Sequence, residues 1–488
     1  MNFSFELKRG PGRPLYKVLA GELIKCIESG RLISGQTLPP SRELAESLGV
    51  SRYTVTRSYD ELNAAGYVES RSTSGIFVRS GVRKAAAKAA AANASDVEPL
   101  SAELVSRYSA RLLAFENLQP NPEYLREINF GAPPADLLPK RTWRQLLQKN
   151  LELDLTLLFQ PDVVGRIELR EALAYYFLRH KGIECPVDRV AVFSQSQNAL
   201  NVIFRILFNE GDGIALEEPG FGGVRNIAVA QGMSLHAVPT DEEGLVTDAL
   251  WNLPQSVRGV YVTPAHQDPC GAVMSLRRRQ ALIAWARARR AWLLEDDYDS
   301  FFNWGTRSVS SLTTLSGGEG VIYVGNFWKL LYPVSTVSFA ILPPALCEVL
   351  RAAKTLTEPN FEALEQLALA DYIQDGHLER QMRRFRKLYS VRRRTLIYHL
   401  KRIFGDSLEI DRRNPGTHIL IYLSLSLDER TICTLAAQAG LGMVSTRNHY
   451  LNGAVRRTAE FLVDFSHLLP DNIAGAVEKF HRLLTAQR

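Results

Sequence analysis

The chain has 488 residues, too many for one ordinary core, so two or three domains are expected. Hydrophobic residues make up 46% and charged residues 23%, which excludes a disordered or fibrous chain and fits a globular one. A net charge of +6 suits a polyanion without demanding one, and on charge alone a mildly basic enzyme is an equal reading.

The five cysteines (Cys26, Cys185, Cys270, Cys347, Cys433) are scattered, with no Cys-x-x-Cys pair. That pattern argues against a disulfide framework or a structural zinc site and for a reducing compartment. Met1 to Gly10 lacks the apolar core of a signal peptide, and no uninterrupted apolar run approaches the ~18 residues of a membrane span. A cytoplasmic protein with neither membrane segment nor metal is expected.

Residues 1–80 carry three short helical patterns and a strand pair. Leu15, Leu19, Leu23 and Ile27 fall on one helical stripe. Leu38-Pro39-Pro40-Ser41 stops the chain and offers Ser41 as an N-cap, after which Leu44, Ala45 and Leu48 form a second stripe. Gly49 closes that helix and Ser51 caps a third, in which Val55, Tyr59 and Leu62 point to the core. Tyr53, Thr56 and Arg57 point away from it, with Arg52 and Thr54 at the N-terminal end. Helix, short turn and helix is the spacing that sets a recognition helix into the major groove of DNA. The runs Gly66–Arg71 and Gly75–Val78, joined by a Ser/Thr/Gly turn, read as a two-stranded wing.

Residues 81–125 begin with the alanine-lysine run Lys84–Ala92 and stay polar, which predicts a linker, semi-rigid where helical. From 126 to 488, apolar strand-like runs alternate with amphipathic helices, which predicts an α/β domain on a mostly parallel sheet. Val190–Ser194, Ile214–Leu216, Val260–Thr263 and Ala291–Leu294 are strands of that pattern; Ala199–Phe208 and Gln280–Arg290 are helices. The densest basic run, Arg380–Lys387 and Arg392–Arg394, reads as a solvated helix face or as an auxiliary contact with DNA.

The segment Leu38–Val78 resembles the winged helix-turn-helix of the GntR superfamily in cap, turn, recognition helix and wing. The resemblance implies that Arg42, Ser51, Arg52, Thr54 and Thr56 contact double-stranded operator DNA, with Gly75 letting the wing turn approach the minor groove. Arginines and short hydroxyl side chains suit phosphate and base-edge bonding.

From Ile128 onward the chain resembles fold-type I pyridoxal phosphate enzymes, and specifically the MocR/GabR-type regulators that join such a domain to a GntR-type head. The motifs, in order, are Asn129-Phe130-Gly131, Gly165–Arg170, Ser194-Gln195-Ser196-Gln197, Glu218-Pro219-Gly220-Phe221, Thr263–Gly271, Glu295–Asp299 and Gly325–Lys329. The implied fold is a large, mostly parallel sheet domain with a smaller C-terminal α/β domain. The implied cofactor is pyridoxal 5'-phosphate, the implied partners are DNA and a small-molecule effector, and the implied assembly is a homodimer. A Schiff base needs a lysine on a fixed turn, and Lys329 stands in the family's place for it. Asp296, or alternatively Asp297, would sit by the pyridine nitrogen, and Tyr298 would bond the ring 3'-oxygen. The amides of Ser196 and Gln197, at a helix start, would take the phosphate, and Phe221 would stack on the ring.

This sequence departs from that pattern at several positions. Gln195 stands for a glycine, Phe221 for a tyrosine and Trp328 for a serine, and Thr336 stands where a phosphate-holding arginine is expected. Losing a charged phosphate clamp costs ~1.5–3 kcal/mol, one or two decades in affinity. Arg447, Arg456 and Arg457 match poorly the arginine that grips a substrate carboxylate. These departures favour a regulator that senses an amine, an amino acid or pyridoxal phosphate. The alternatives are an active aminotransferase with a DNA-binding head, and a cofactor-free regulator with a degenerate pocket.

Overall fold

The computed structural model describes residues 14–28, 31–33, 35–71, 75–79, 105–114, 130–159, 162–302, 309–359, 362–411, 413, 416–425, 427–451 and 459–487. They form two compact units, Met1–Val105 and Ser106–Arg488. Among the described residues no helix is long and apolar enough to cross a membrane, and no cluster of His, Cys, Asp and Glu is placed to hold a metal ion.

In the first unit α1 is Leu15–Glu28, α2 Ser41–Leu48 and α3 Arg52–Ala64, followed by strands β1 (Val68–Arg71) and β2 (Gly75–Val78). Leu19, Leu23 and Ile27 of α1 meet Leu44 and Ala45 of α2 and Val55, Tyr59 and Leu62 of α3 in one buried cluster, closed below by Val68 and Val78. Each such side chain contributes ~1.5–3 kcal/mol on burial. The strands pair antiparallel with Val68 opposite Val78. Leu38 donates its amide to Ile76 O at 2.8 Å, tying the start of α2 to the wing. Gly49 ends α2 at φ 63°, a left-handed position that glycine adopts without strain. Ser41, expected as the cap of α2, is instead its first helical residue and makes no cap bond; its hydroxyl accepts from Arg52 Nε at 3.3 Å. The wing turn lies outside the described residues.

In the second unit an eight-stranded sheet has the order β3-β10-β9-β8-β7-β4-β5-β6. The strands are β3 Val190–Phe193, β4 Gly213–Glu218, β5 Ser234–Asp241, β6 Gly244–Leu245, β7 Val257–Val262, β8 Trp292–Asp297, β9 Val321–Asn326 and β10 Ser338–Ile341. Strands β5, β4, β7, β8 and β9 run parallel, and β10 is antiparallel to β9 and β3. The central strands are buried along their length, as their continuous apolar runs require when both faces are covered. Loops leaving the C-terminal ends of β4, β7, β8 and β9 converge, the place where open α/β sheets build sites.

A second sheet, β11-β12-β14-β13, is antiparallel and carries the helices Glu429–Gln438 and Pro470–Thr485. Its strands are β11 Leu408–Ile410, β12 His418–Leu423, β13 Gly442–Ser445 and β14 Glu460–Asp464. The long helix His377–Phe404 leads into it, burying Leu378, Met382, Phe385, Tyr389, Leu396 and Leu400 at helical spacing. On its other face Arg383, Arg384, Lys387 and Arg394 are exposed, whereas Arg392 is buried and donates to Ser466 O.

Ser106 caps a short helix, Arg107–Leu113, within the stretch read as a linker. Arg107 and Arg111 pair with Glu210, and Arg111 reaches Ala230 O at 3.4 Å, so this part of the stretch is packed on the second unit. The Lys84–Ala92 run lies outside the described residues.

Candidate functional site

The inner face of α3 buries Val55, Tyr59 and Leu62, which leaves its outer face mostly polar. Ser51 Oγ accepts from the Thr54 amide at 3.1 Å, satisfying one of the orphan donors of the first turn. Thr54 Oγ1 lies 2.8 Å from the same hydroxyl, and Thr56 Oγ1 donates to Arg52 O at 3.1 Å. Arg52 and Thr56 are exposed, and Tyr53 beside them is 71% exposed. Arg57 lies over the Tyr16 ring at 5.2 Å. Arg42, exposed on α2, reaches Glu46 at 3.3 Å. Gly75 opens β2 at φ 106°, where a Cβ would press on Thr37. The expected Arg42, Ser51, Arg52, Thr54, Thr56 and Gly75 therefore occupy the α2–α3 surface and the wing of one small domain.

In the second unit Lys329 lies on the one-turn helix Trp328–Leu331 that follows β9. Asn326 Oδ1 accepts from the Trp328 amide at 2.9 Å and shapes that turn, while the Trp328 ring stacks on Tyr332. Lys329 Nζ is 3.0 Å from Asp299 Oδ2, 3.4 Å from Thr417 Oγ1, and 4.7 Å above the Tyr298 ring centroid. Asp299 uses its other oxygen on His266 Nδ1, and Tyr298 OH lies 3.3 Å from that nitrogen. Gly131, at φ 77°, brings bare backbone to this spot: a Cβ there would stand 2.8 Å from Thr417 Oγ1 and 3.4 Å from Lys329 Cε. Gly416 passes beside His266 and Asp299, where a side chain would collide with both.

The two aspartates ending β8 differ in what they have left to offer. Asp297 is engaged by Lys181 at 2.6 Å and Tyr323 OH at 2.5 Å, with the Ser300 amide at 3.2 Å. Burial would raise its carboxyl, but the Lys181 charge and these hydrogen bonds hold it below the usual carboxylate range. Asp296 accepts from Tyr261 OH at 2.6 Å through one oxygen, and its buried Oδ1 has no partner. Burial pushes its carboxyl up to about 7, against the pull of the Tyr261 hydrogen bond. Of the two, Asp296 is thus the one with an acceptor to give to a ring nitrogen. Phe221 stacks on Tyr261 with centroids 6.4 Å apart.

Ser196 and Gln197 open the helix Ser196–Leu207, their amides lacking intrahelical acceptors as in any first turn. Ser196 Oγ accepts from Asn326 Nδ2 at 2.9 Å. A side chain at Gly223 would collide with both Gln197 and the Phe221 ring, so these two expected residues share one neighbourhood. The Thr336 hydroxyl donates to Ser194 O at 2.9 Å. Glu358 accepts from the Ser194 amide at 3.1 Å and from Asn198 Nδ2 at 2.9 Å, and pairs with Lys354 at 2.6 Å. Glu365 lies against Ser335, Thr336 and Glu362, with its carboxyl pushed up to about 7 by burial and by Glu362.

These residues fit the ring and aldehyde of a pyridoxal-type group: a buried lysine, an unpartnered buried carboxyl oxygen and a flanking aromatic. Beside the helix start that would face its phosphate, the charged side chain bonded to Ser194 and Asn198 is the Glu358 carboxylate, itself paired with Lys354. Sequence reasoning assigned no role to His266, Asp299, Thr417, Tyr261 or Glu358. The first two lie inside the Thr263–Gly271 and Glu295–Asp299 motifs, where a histidine and an acid just beyond strand ends were the available signal. Of the arginines weighed for a substrate carboxylate, Arg447 is exposed and 3.6 Å from Glu429, while Arg456 and Arg457 lie outside the described residues.

Residues 15–78 match the family described as bacterial regulatory proteins, gntR family. Residues 127–459 match aminotransferase class I and II. The chain is 31% identical to "Probable rhizopine catabolism regulatory protein MocR" of Rhizobium meliloti over 89% of its own length and 87% of that protein. It is 28% identical to the "HTH-type pyridoxine biosynthesis transcriptional regulator PdxR" of Corynebacterium glutamicum, over 89% of this chain and 88% of that one. Among solved structures, kynurenine aminotransferase of Pyrococcus horikoshii superposes with a TM-score of 0.67 at 22% identity, covering 80% of this chain and 97% of that one. At that identity the likeness establishes the fold-type I architecture alone.

Proposed function

We propose, because the chain belongs to the MocR-type subfamily of GntR transcription regulators, that it is a DNA-binding regulator whose aminotransferase-like domain senses a small molecule at the Lys329 pocket. The observation that carries this reading is the presence in one chain of an exposed, Ser51-capped recognition helix and a buried lysine among ring-binding groups. Arg52, Thr54 and Thr56 on α3, with Arg42 on α2, are the groups offered to the major groove, and Gly75 shapes the wing.

Pyridoxal 5'-phosphate, the group of this fold family, would be held by Lys329, Asp296, Tyr298 and Phe221, with Ser196 and Gln197 at its phosphate. When bound, it supplies an aldehyde carbon that captures primary amines reversibly. Asp296 Oδ1 would accept a proton-bearing ring nitrogen, and the Tyr298 hydroxyl would face the ring 3'-oxygen. Asp299 positions the Lys329 ammonium and is itself held by His266. An amine or amino acid that displaces Lys329 changes the charge and packing at that turn. A hundredfold preference for one conformational state then shifts the DNA-competent population by ~2.7 kcal/mol.

The regulator is read as a homodimer that pairs two heads with two half-sites. Duplexes selected from a random library test the whole reading by anisotropy, with and without pyridoxal phosphate and amines. Specific binding that a ligand changes severalfold in the wild type but not in Lys329→Ala supports it, as does protection of two half-sites in a footprint. Absence of specific binding overturns it.

A further inference from the structure

The Ser194–Asn198 turn, which leads into the helix start where a phosphate on the ring would seat, already holds a carboxylate–lysine pair. Glu358 accepts the Ser194 amide at 3.1 Å and Asn198 Nδ2 at 2.9 Å, and Lys354 locks it there at 2.6 Å while lying over the Phe193 ring at 4.2 Å. The Thr336 hydroxyl is committed to Ser194 O at 2.9 Å, and the Ser196 hydroxyl accepts from Asn326. Glu362 and Glu365 stand behind Thr336.

We propose that the Lys329 pocket takes pyridoxal, the unphosphorylated aldehyde, in preference to its phosphate ester. The inference rests on the reading of Lys329 as the amine that receives the aldehyde. A phosphate monoester brings about −1.5 to −2 charges at neutral pH. The helix start offers about +0.5 of an elementary charge, and the Glu358–Lys354 pair beside it adds no net positive charge. The ester would therefore give up water for a site whose lysine, Lys354, is already engaged by Glu358, a desolvation that is not repaid, whereas pyridoxal carries only a neutral hydroxymethyl group.

Capture itself does not need the phosphate. Lys329 Nζ gives up a proton and adds to the aldehyde carbon; a C=N bond forms as the carbonyl oxygen leaves as water. Borohydride then delivers hydride to that carbon and the nitrogen takes a proton from solvent, leaving a stable secondary amine.

The full-length protein is incubated with a concentration series of pyridoxal or pyridoxal phosphate, reduced with borohydride, and digested. Labelling of Lys329 is read by mass spectrometry against exposed Lys401 of the same sample, which corrects for the different free-aldehyde content of the two reagents. The expected result is half-labelling of Lys329 at a lower normalised concentration of pyridoxal than of its phosphate. In Thr336→Arg and Glu358→Gln the preference moves at least tenfold toward the phosphate. A wild-type preference for the phosphate of tenfold or more overturns the inference and leaves the Lys329 reading standing. Labelling of Lys329 by neither reagent above the Lys401 level overturns both.

Discussion

Lys329 Nζ lies 3.0 Å from Asp299 Oδ2, and both side chains are buried. Burial works against the Asp299 carboxylate, yet the charges of His266 and Lys329 hold it far below the ordinary range. Removing one partner of such a pair leaves a buried charge uncompensated, at a cost of ~3–5 kcal/mol. Asp299→Ala is expected to lose about that much stability in urea titrations. Lys329→Met is expected to lose less, because Asp299 keeps His266. The double variant should show a coupling of at least ~1 kcal/mol; additivity of the two changes contradicts the pairing.

Two buried carboxyls and one half-buried one set a pH trend. Asp296 is pushed up to about 7, Glu365 to about 7 and Glu217 to about 8, in each case first by burial. Their folded pKa values exceed the unfolded ones, so the folded state keeps protons that the unfolded state releases. The stability this contributes is complete below about pH 4 and is lost as pH rises through about 7 to 8. Scanning calorimetry of the ligand-free protein should show a falling melting temperature over that window, and Asp296→Asn should flatten the slope. An unchanged slope in Asp296→Asn means that this carboxyl is ionised throughout.

His418 behaves in the other sense. Burial and the Lys329 charge push it down to about 3, so it is neutral when folded. Stability from this group is present above about pH 6.5 and is lost as pH falls toward 3. His418→Gln should lessen acid sensitivity in that range; identical acid melting curves for the two proteins contradict this.

The DNA contacts proposed for Arg52 and Arg42 are separable by salt. Arg52 donates to Ser41 at 3.3 Å and Arg42 to Glu46 at 3.3 Å, and both side chains are exposed, so these bonds give way to DNA at little cost. Arg52→Ala should weaken specific binding by ~1–3 kcal/mol if it reads a base, or lower the salt slope by ~1 if it meets a phosphate. Unchanged affinity and slope for both Arg52→Ala and Arg42→Ala removes α3 as the reading element.

Much of the molecule was legible because its signals are local. The stripes of α1, α2 and α3, the Ser51 cap and the wing strands come from spacing within a dozen residues, and their buried faces follow it. Ser41 was misread for the same reason: its local context fits a cap, but Arg52, eleven positions on, claims the hydroxyl. The motif that places Lys329 is local too. What the motifs left open turns on distant partners: Lys181 engages Asp297, whereas Asp296 keeps an unpartnered oxygen. Glu358 reaches the Ser194 amide across 164 positions, and no periodicity could announce it.

The central claim is that Lys329 is the reactive amine of a sensing pocket. Absorbance of the purified protein with excess pyridoxal phosphate or pyridoxal, followed by borohydride reduction and peptide mass spectrometry, tests it most directly. The account predicts a visible-range band that borohydride abolishes, a mass adduct on Lys329, and neither in Lys329→Ala, which should still bind DNA. No band with either aldehyde and an unmodified Lys329 would contradict it.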